Sequence, residues 1–203
     1  MRSRTWFALA LCLFLALGAF AQHDHGTQPK PPSAEEKAMM EAWMKAMTPG
    51  AAHKQLDNFV GTWDTKVTSY MAPGAPPMES TGTSENRWIL GGRWIEQRFT
   101  GSFMGQPFEG IGYTGYDNVK KEYVGTWMDN MGTGVMTSTG SLASDGKTYS
   151  FKSVMPDPVS GKNMPVEEKM VVVDKDHHNM EMWNPGPDGK MYKSMEIAYS
   201  RKK

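Results

Sequence analysis

From Gly61 onward the chain is a succession of short runs rich in Thr, Val, Tyr, Trp and Ile, each closed by a turn signal, with no long helical segment between them. This spacing predicts strands near 62–71, 79–90, 92–101, 107–116, 121–130, 133–143, 147–155, 164–174, 178–184 and 190–201. The breaks are Pro73-Gly74, Gly91-Gly92, Met104-Gly105, Asp117-Asn118, Asp145-Gly146, Gly161-Lys162 and Asp188-Gly189. Asp145-Gly146 is the strongest hairpin signal, because Asp-Gly suits the positive-φ conformations of a type I′ turn. About ten closely spaced strands imply an all-β, antiparallel up-and-down meander, whose exposed edges are removed by closure into a barrel. An open sandwich is the alternative, but the short turns leave little chain for Greek-key crossovers. Gly110, Gly112 and Gly115 fall within one strand and predict a sharp bend there, so Gly112→Val is expected to unfold or misassemble the barrel.

The barrel, 61–203, is preceded by three other segments. Residues 1–21 combine Arg2 and Arg4, an apolar run from Trp6 to Leu17, and Ala19-Phe20-Ala21. This pattern reads as a secretory signal cleaved after Ala21, which predicts a periplasmic or secreted protein. The run falls short of the ~20 apolar residues of a spanning helix. Cys12, the only cysteine, lies inside that signal behind Leu11, where a lipid-anchor signal wants a small residue. The mature chain is therefore expected to have no membrane anchor, disulfide, thiolate zinc site or cysteine nucleophile. Residues 22–32 are polar and aperiodic and read as a disordered linker. Residues 33–60 read as a helical segment. Ser33 and Glu36 have capping-box spacing, and Met40, Trp43, Met44 and Met47 form one apolar stripe. Thr48-Pro49-Gly50 ends that helix, and a second short one is predicted over Ala51 to Phe59. The stripe is expected to pack on the barrel, as a lid or as a buttress.

Removing Arg2 and Arg4 leaves 20 basic residues against 22 acidic ones. No basic block exists outside Arg201-Lys202-Lys203, so nucleic acid is not an expected partner.

The tetrapeptide Val-Gly-Thr-Trp occurs at Val60–Trp63 and again at Val124–Trp127. The flanks do not align, so this is no duplicated unit. The first copy opens the first strand after a helix, where lipocalin-like barrels place a Gly-x-Trp whose indole covers the closed end. Arg201, in the last strand, is the expected partner of Trp63 through a cation–π contact, both residues serving closure. The second copy lies mid-barrel. Alternation puts Tyr123, Gly125, Trp127 and Asp129 on one face, which would line a cavity if it is the inner face.

The blocks "MTPGAAHKQLDNFVGTWD", "ILGGRWIEQRFTG", "GQPFEGIGYTGYDN", "YVGTWMDNMGTG" and "DGKMYKSMEIAYSRK" resemble a bacterial family catalogued as domain of unknown function 1579, from about Met44 to Lys202. That resemblance implies a calycin-like barrel, akin to lipocalins, fatty-acid-binding proteins and nitrobindins. It implies no activity, because fold kinship does not transfer function.

A ligand-holding barrel mixes apolar walls with a few polar groups. Trp94, Phe108, Tyr113 and Trp127 are the candidate walls. Arg93, Glu109, Asp129 and Glu196 are the candidate interior polar group, read either as an anchor for a ligand's polar head or as a self-satisfied ion-pair network. The histidines, His23, His25, His53, His177 and His178, offer no metal-binding spacing, and no cofactor is indicated. Eighteen methionines admit a soft-metal, copper-handling reading. They scatter along the chain, however, and thioethers also fill irregular cores; with Met40, Met44 and Met47 explained by the helix stripe, Met128, Met131 and Met136 are the one cluster that still fits a metal. No Gly-x-Ser-x-Gly, His-Glu-x-x-His or phosphate-binding glycine loop is present. The sequence thus predicts an exported barrel binding a small, mostly apolar molecule. The alternatives are a metal-handling protein and a packed barrel with a structural or interaction role.

Overall fold

The computed structural model describes residues 31–203. The expected signal, its expected cleavage site and most of the expected linker lie outside the described residues. The chain divides into two units, up to Met40 and from Glu41 onward.

In the first unit the capping box is formed. Ser33 N–H donates to Glu36 Oε2 at 2.7 Å, and Glu36 N–H donates to Ser33 Oγ at 3.2 Å. It starts helix α1, Ala34–Met47. In the second unit Trp43, Met44 and Met47 are 54%, 56% and 50% exposed. These three residues of the stripe therefore do not bury themselves against the barrel, contrary to the expectation above. What holds the end of α1 is polar. Arg93 Nη2 donates to Met47 O at 2.7 Å, and Asn118 Nδ2 donates to Ala46 O at 3.1 Å.

The burying role falls to the next turn of chain. Helix α2, Ala51–Gln55, tightens into a 3-10 turn, Leu56–Phe59. Leu56 and Phe59 are buried in a cluster with Ile95, Tyr123, Tyr149, Phe151 and Val172. A helix end leaves its last carbonyls without intrahelical partners. Here the barrel supplies the donors. Tyr123 Oη donates to Ala52 O at 3.1 Å, Tyr149 Oη to Gln55 O at 3.0 Å, Asn86 Nδ2 to Phe59 O at 2.8 Å, and Trp63 Nε1 to the same oxygen at 2.9 Å. The segment stoppers one end of the barrel through both its apolar side chains and its backbone.

Ten antiparallel strands follow: β1 Gly61–Ser69, β2 Met78–Ile89, β3 Trp94–Phe103, β4 Gln106–Asp117, β5 Glu122–Asp129, β6 Met136–Leu142, β7 Thr148–Pro156, β8 Asn163–Val172, β9 His177–Pro185 and β10 Met191–Arg201. Each pairs with its sequence neighbour, and β1 pairs with β10 to close the barrel. The up-and-down expectation therefore holds. Within residues 41–203 no helix caps the end opposite α2; that rim is made of the hairpin loops.

Two local expectations change. Met104-Gly105, a two-residue loop, has both φ positive at 51° and 77°, the pattern of a type I′ turn. Asp145 has no positive φ; instead it accepts from the Lys147 and Thr148 amides at 2.8 and 2.9 Å in a longer loop. Gly110 and Gly112 have ordinary negative-side φ and are needed for space. A Cβ on Gly110 would overlap the Trp127 ring, and one on Gly112 would lie 3.0 Å from its Cε3. The ring, not a bend, excludes a side chain there.

Candidate ligand site in the open half of the barrel

The closed end is completed by Trp63, Arg201 and His178. Trp63 is 0% exposed, and the Arg201 guanidinium carbon stands 4.1 Å from its ring centroid. Arg201 also donates to Val60 O at 2.8 Å and Lys175 O at 2.9 Å, and faces Asp176 at 3.4 Å. The cation is thus spread over carbonyls, a ring and a carboxylate. His178, 2% exposed, stacks on Tyr199 at 4.1 Å and meets the Trp63 ring edge-on at 4.3 Å. Burial first, and the Arg201 charge second, push its pKa down to about 3. It is a neutral core group, and its Nδ1 is buried without a partner. Beside it lies a cavity of about 30 Å³, lined in part by Asn86, Gln97, Thr114, His178 and Tyr199. That volume suits a water molecule and is far below a ligand's.

The other half is filled differently. The register from Trp63 fixes which residues face inward, strand by strand. Trp63 opposes Ser84, Ser84 opposes Phe99, Phe99 opposes Gly110, and Gly110 opposes Asp129. Continuing round, Trp127 opposes Met136, Ser138 opposes Ser153, Met155 opposes Met164, Glu168 opposes Met182, and Met182 opposes Met195. Phe108, Trp127, Met136, Met164, Met182 and Met195 are inward yet only half-buried. Methionines that looked scattered along the chain therefore gather on one inner wall. The local cluster does not: Met128 faces out, Met131 is in a loop, and only Met136 faces in.

Of the eight candidate ligand-binding residues, Phe108, Trp127 and Asp129 face inward. Phe108 meets Phe99 edge-on at 5.8 Å. Trp127 Nε1 donates to Asp129 Oδ2 at 2.9 Å. Arg93 shares the parity of Ile95 but precedes the strand; it is exposed in the β2–β3 turn, with Nη1 donating to Leu90 O at 3.2 Å. Trp94 lies outside, over Gly115. Tyr113 also faces out, opposite Glu96. Glu109 is exposed on the outer face, and Glu196, also outside, receives Lys193 Nζ at 3.0 Å. Of the four expected interior polar residues, Arg93, Glu109, Asp129 and Glu196, only Asp129 faces the barrel interior. The reason is elementary: Phe108 and Glu109, or Trp94 and Ile95, are successive residues and cannot share a face. The charge network exists, but outside the barrel. Glu96 is buried there between Arg98, which it contacts, and Arg87 at 3.3 Å. The Arg98 hydrogen bond, followed by weaker help from Arg87, holds its carboxyl below the usual range.

The sequence reading missed Glu168. It faces inward between Phe151 on β7 and Met182 on β9. Ser153 Oγ hydrogen-bonds its Oε1, and Ser138 Oγ donates to the same oxygen at 3.3 Å; the two hydroxyls are 2.7 Å apart. Burial pushes its carboxyl above the usual range, against the lowering effect of the two serines. No Lys or Arg pairs with it among the described residues. Its signal was available, since Glu167 and Glu168 must point to opposite faces and one of them had to be inside. No cluster of three His, Cys, Asp or Glu suited to a metal occurs among the described residues.

Residues 48–201 match the family described as "Protein of unknown function (DUF1579)". No curated protein matches. Among solved structures, Rv2717c from M. tuberculosis is similar, with a TM-score of 0.56 and 12% identity, over 77% of this chain and 100% of that one. The S-type phycobiliprotein lyase CPES from Guillardia theta is similar over 79% of this chain and 97% of its own, with a TM-score of 0.52 and 12% identity. At such identities the likeness concerns the fold alone.

Proposed function

The chain belongs to the DUF1579 family, whose description assigns no activity, and we propose that it is an exported barrel that binds a small, mostly apolar molecule in its open half. One observation carries this reading: filling changes along the barrel axis. At the stoppered end Trp63, Tyr149, Leu56 and His178 have almost no exposed surface, and full burial extends along the wall as far as Ser153 and Val166. Towards the open end the inward thioethers and aromatic rings are only half-buried. Half-buried apolar side chains on an inner wall gain about 25 cal/mol for each Å² a ligand covers. The export signal in residues 1–21 supports a role outside the cytoplasm.

Methionine-methyl NMR tests the reading. With dodecanol as probe, the methyls of Met136, Met164, Met182 and Met195 shift together, while those of exposed Met44, Met47 and Met104 stay in place. Uniform shifts, or none, contradict it. A second reading, soft-metal binding, is favoured by the cross-strand pairs Met155–Met164 and Met182–Met195. Silver(I), a redox-silent stand-in for copper(I), distinguishes it by moving those four methyls at one equivalent.

A further inference from the structure

The inner wall sorts charge. Among the described residues, the inward-facing Asp, Glu, His, Lys or Arg side chains on the strands of the closed end are His178, which is neutral, and Arg201, already occupied by Trp63, Asp176 and backbone oxygens. Those of the open half are Asp129 and Glu168. Apart from Arg201, the paired cations on the strands lie outside: Lys66 with Glu79, Arg87 and Arg98 with Glu96, and Lys193 with Glu181 and Glu196. The open half therefore holds two carboxyls and no cation of its own.

A ligand headed by carboxylate or phosphate would enter a confined apolar space that offers it no cation. That is unfavourable, because such a charge loses its hydration without gaining a partner. A positive charge finds stabilisation there from the Glu168 carboxyl, from the polarisable thioethers of Met182, its neighbour in register, and of Met195 on the next strand, and from the Trp127 ring further round the inner wall. Ser138 and Ser153 fix the Glu168 carboxyl through one oxygen. In the ligand-free barrel burial favours the protonated acid; a cation nearby would draw it towards the carboxylate.

We propose that the open half of this barrel selects apolar molecules carrying a positive charge, with Glu168 as the counter-charge. The proposal rests on the ligand-binding reading above and adds the charge class of the ligand.

Three probes with the same twelve-carbon chain test it by calorimetry, each below its micelle concentration: dodecyltrimethylammonium, dodecanol and dodecanoate. The ammonium is expected to bind tightest, by about tenfold over dodecanol, an increment of the size of one partly desolvated ion contact, and dodecanoate weakest. Glu168→Gln is expected to reduce the ammonium-to-alcohol ratio about tenfold, provided its melting curve shows it folded; the wild-type ranking needs no variant. Equal or tighter binding of dodecanol or dodecanoate overturns the charge assignment while leaving the binding reading in place. Failure of all three probes to bind removes the binding reading itself, and the charge assignment with it.

Discussion

At the scale of single residues, the inner wall is built from glycines that make room for rings. Trp127 lies on Gly110 and Gly112, Phe99 on Gly82 and Gly101, and Phe151 on Gly140. Gly110→Ala is therefore expected to lower stability by about 1–3 kcal/mol through overpacking. Trp127→Leu should relieve part of that strain, so the double variant loses less than the sum of the two. Losses that add within about 0.5 kcal/mol would show that the ring and the glycine are independent. His178 makes a second residue-scale prediction. Its folded pKa, about 3, lies below the ordinary unfolded value of about 6.5. The contribution of a neutral His178 is complete above about pH 6.5 and is lost as pH falls towards 3, by about 1.4 kcal/mol for each pH unit. His178→Phe keeps a ring against Tyr199 without a basic nitrogen. Denaturant titrations at pH 7 and pH 5 should show the variant losing about 2 kcal/mol less than the parent over that interval. An unchanged loss would mean that His178 is not held neutral.

At the scale of elements, the strands were legible because turn chemistry punctuates them. Every predicted strand exists, with ends displaced by a few residues. Which face points inward was not legible, and β6 shows why. Its inward residues are Met136, Ser138, Gly140 and Leu142, and its outward ones Thr137, Thr139 and Ser141. Small and weakly polar residues occupy both faces, so hydropathy carries little period-2 signal. The interior needs small residues to accommodate rings from neighbouring strands, and that need appears only once the register is known. The helices show the reverse error. The stripe of α1 looked like the packing face, but the shorter α2 segment does the packing because its open carbonyls meet Tyr123, Tyr149, Asn86 and Trp63. Removing residues 1–47 should therefore cost less than about 2 kcal/mol, the worth of a few exposed hydrogen bonds. Leu56→Ala should cost about 2–5 kcal/mol, as deletion in a filled core does. Thermal unfolding of both proteins checks the order; a larger loss from the truncation would assign the barrel's closure to α1.

At the scale of the whole molecule, one end is a filled core and the other an inner wall of thioethers, aromatic rings and two carboxyls. The closure pair Trp63 and Arg201 was legible from the positions of the two residues in the first and last strands. The inner face was legible only in part: Phe108, Trp127 and Asp129 point inward, whereas Arg93, Trp94, Glu109, Tyr113 and Glu196 lie on the turn or the outer face. That Glu167 and Glu168 diverge was legible, but which of the two points inward was not, because the stretch is polar on both faces and the register alone decides it. The asymmetry of filling is the central claim, and a native mass spectrum tests it most directly. The protein is taken gently from an exporting host and measured before and after exposure to a bacterial apolar extract. The account predicts one added organic mass per chain in at least the second spectrum, lost on mild activation. A bare chain mass in both would contradict it and leave a barrel whose open half serves no ligand.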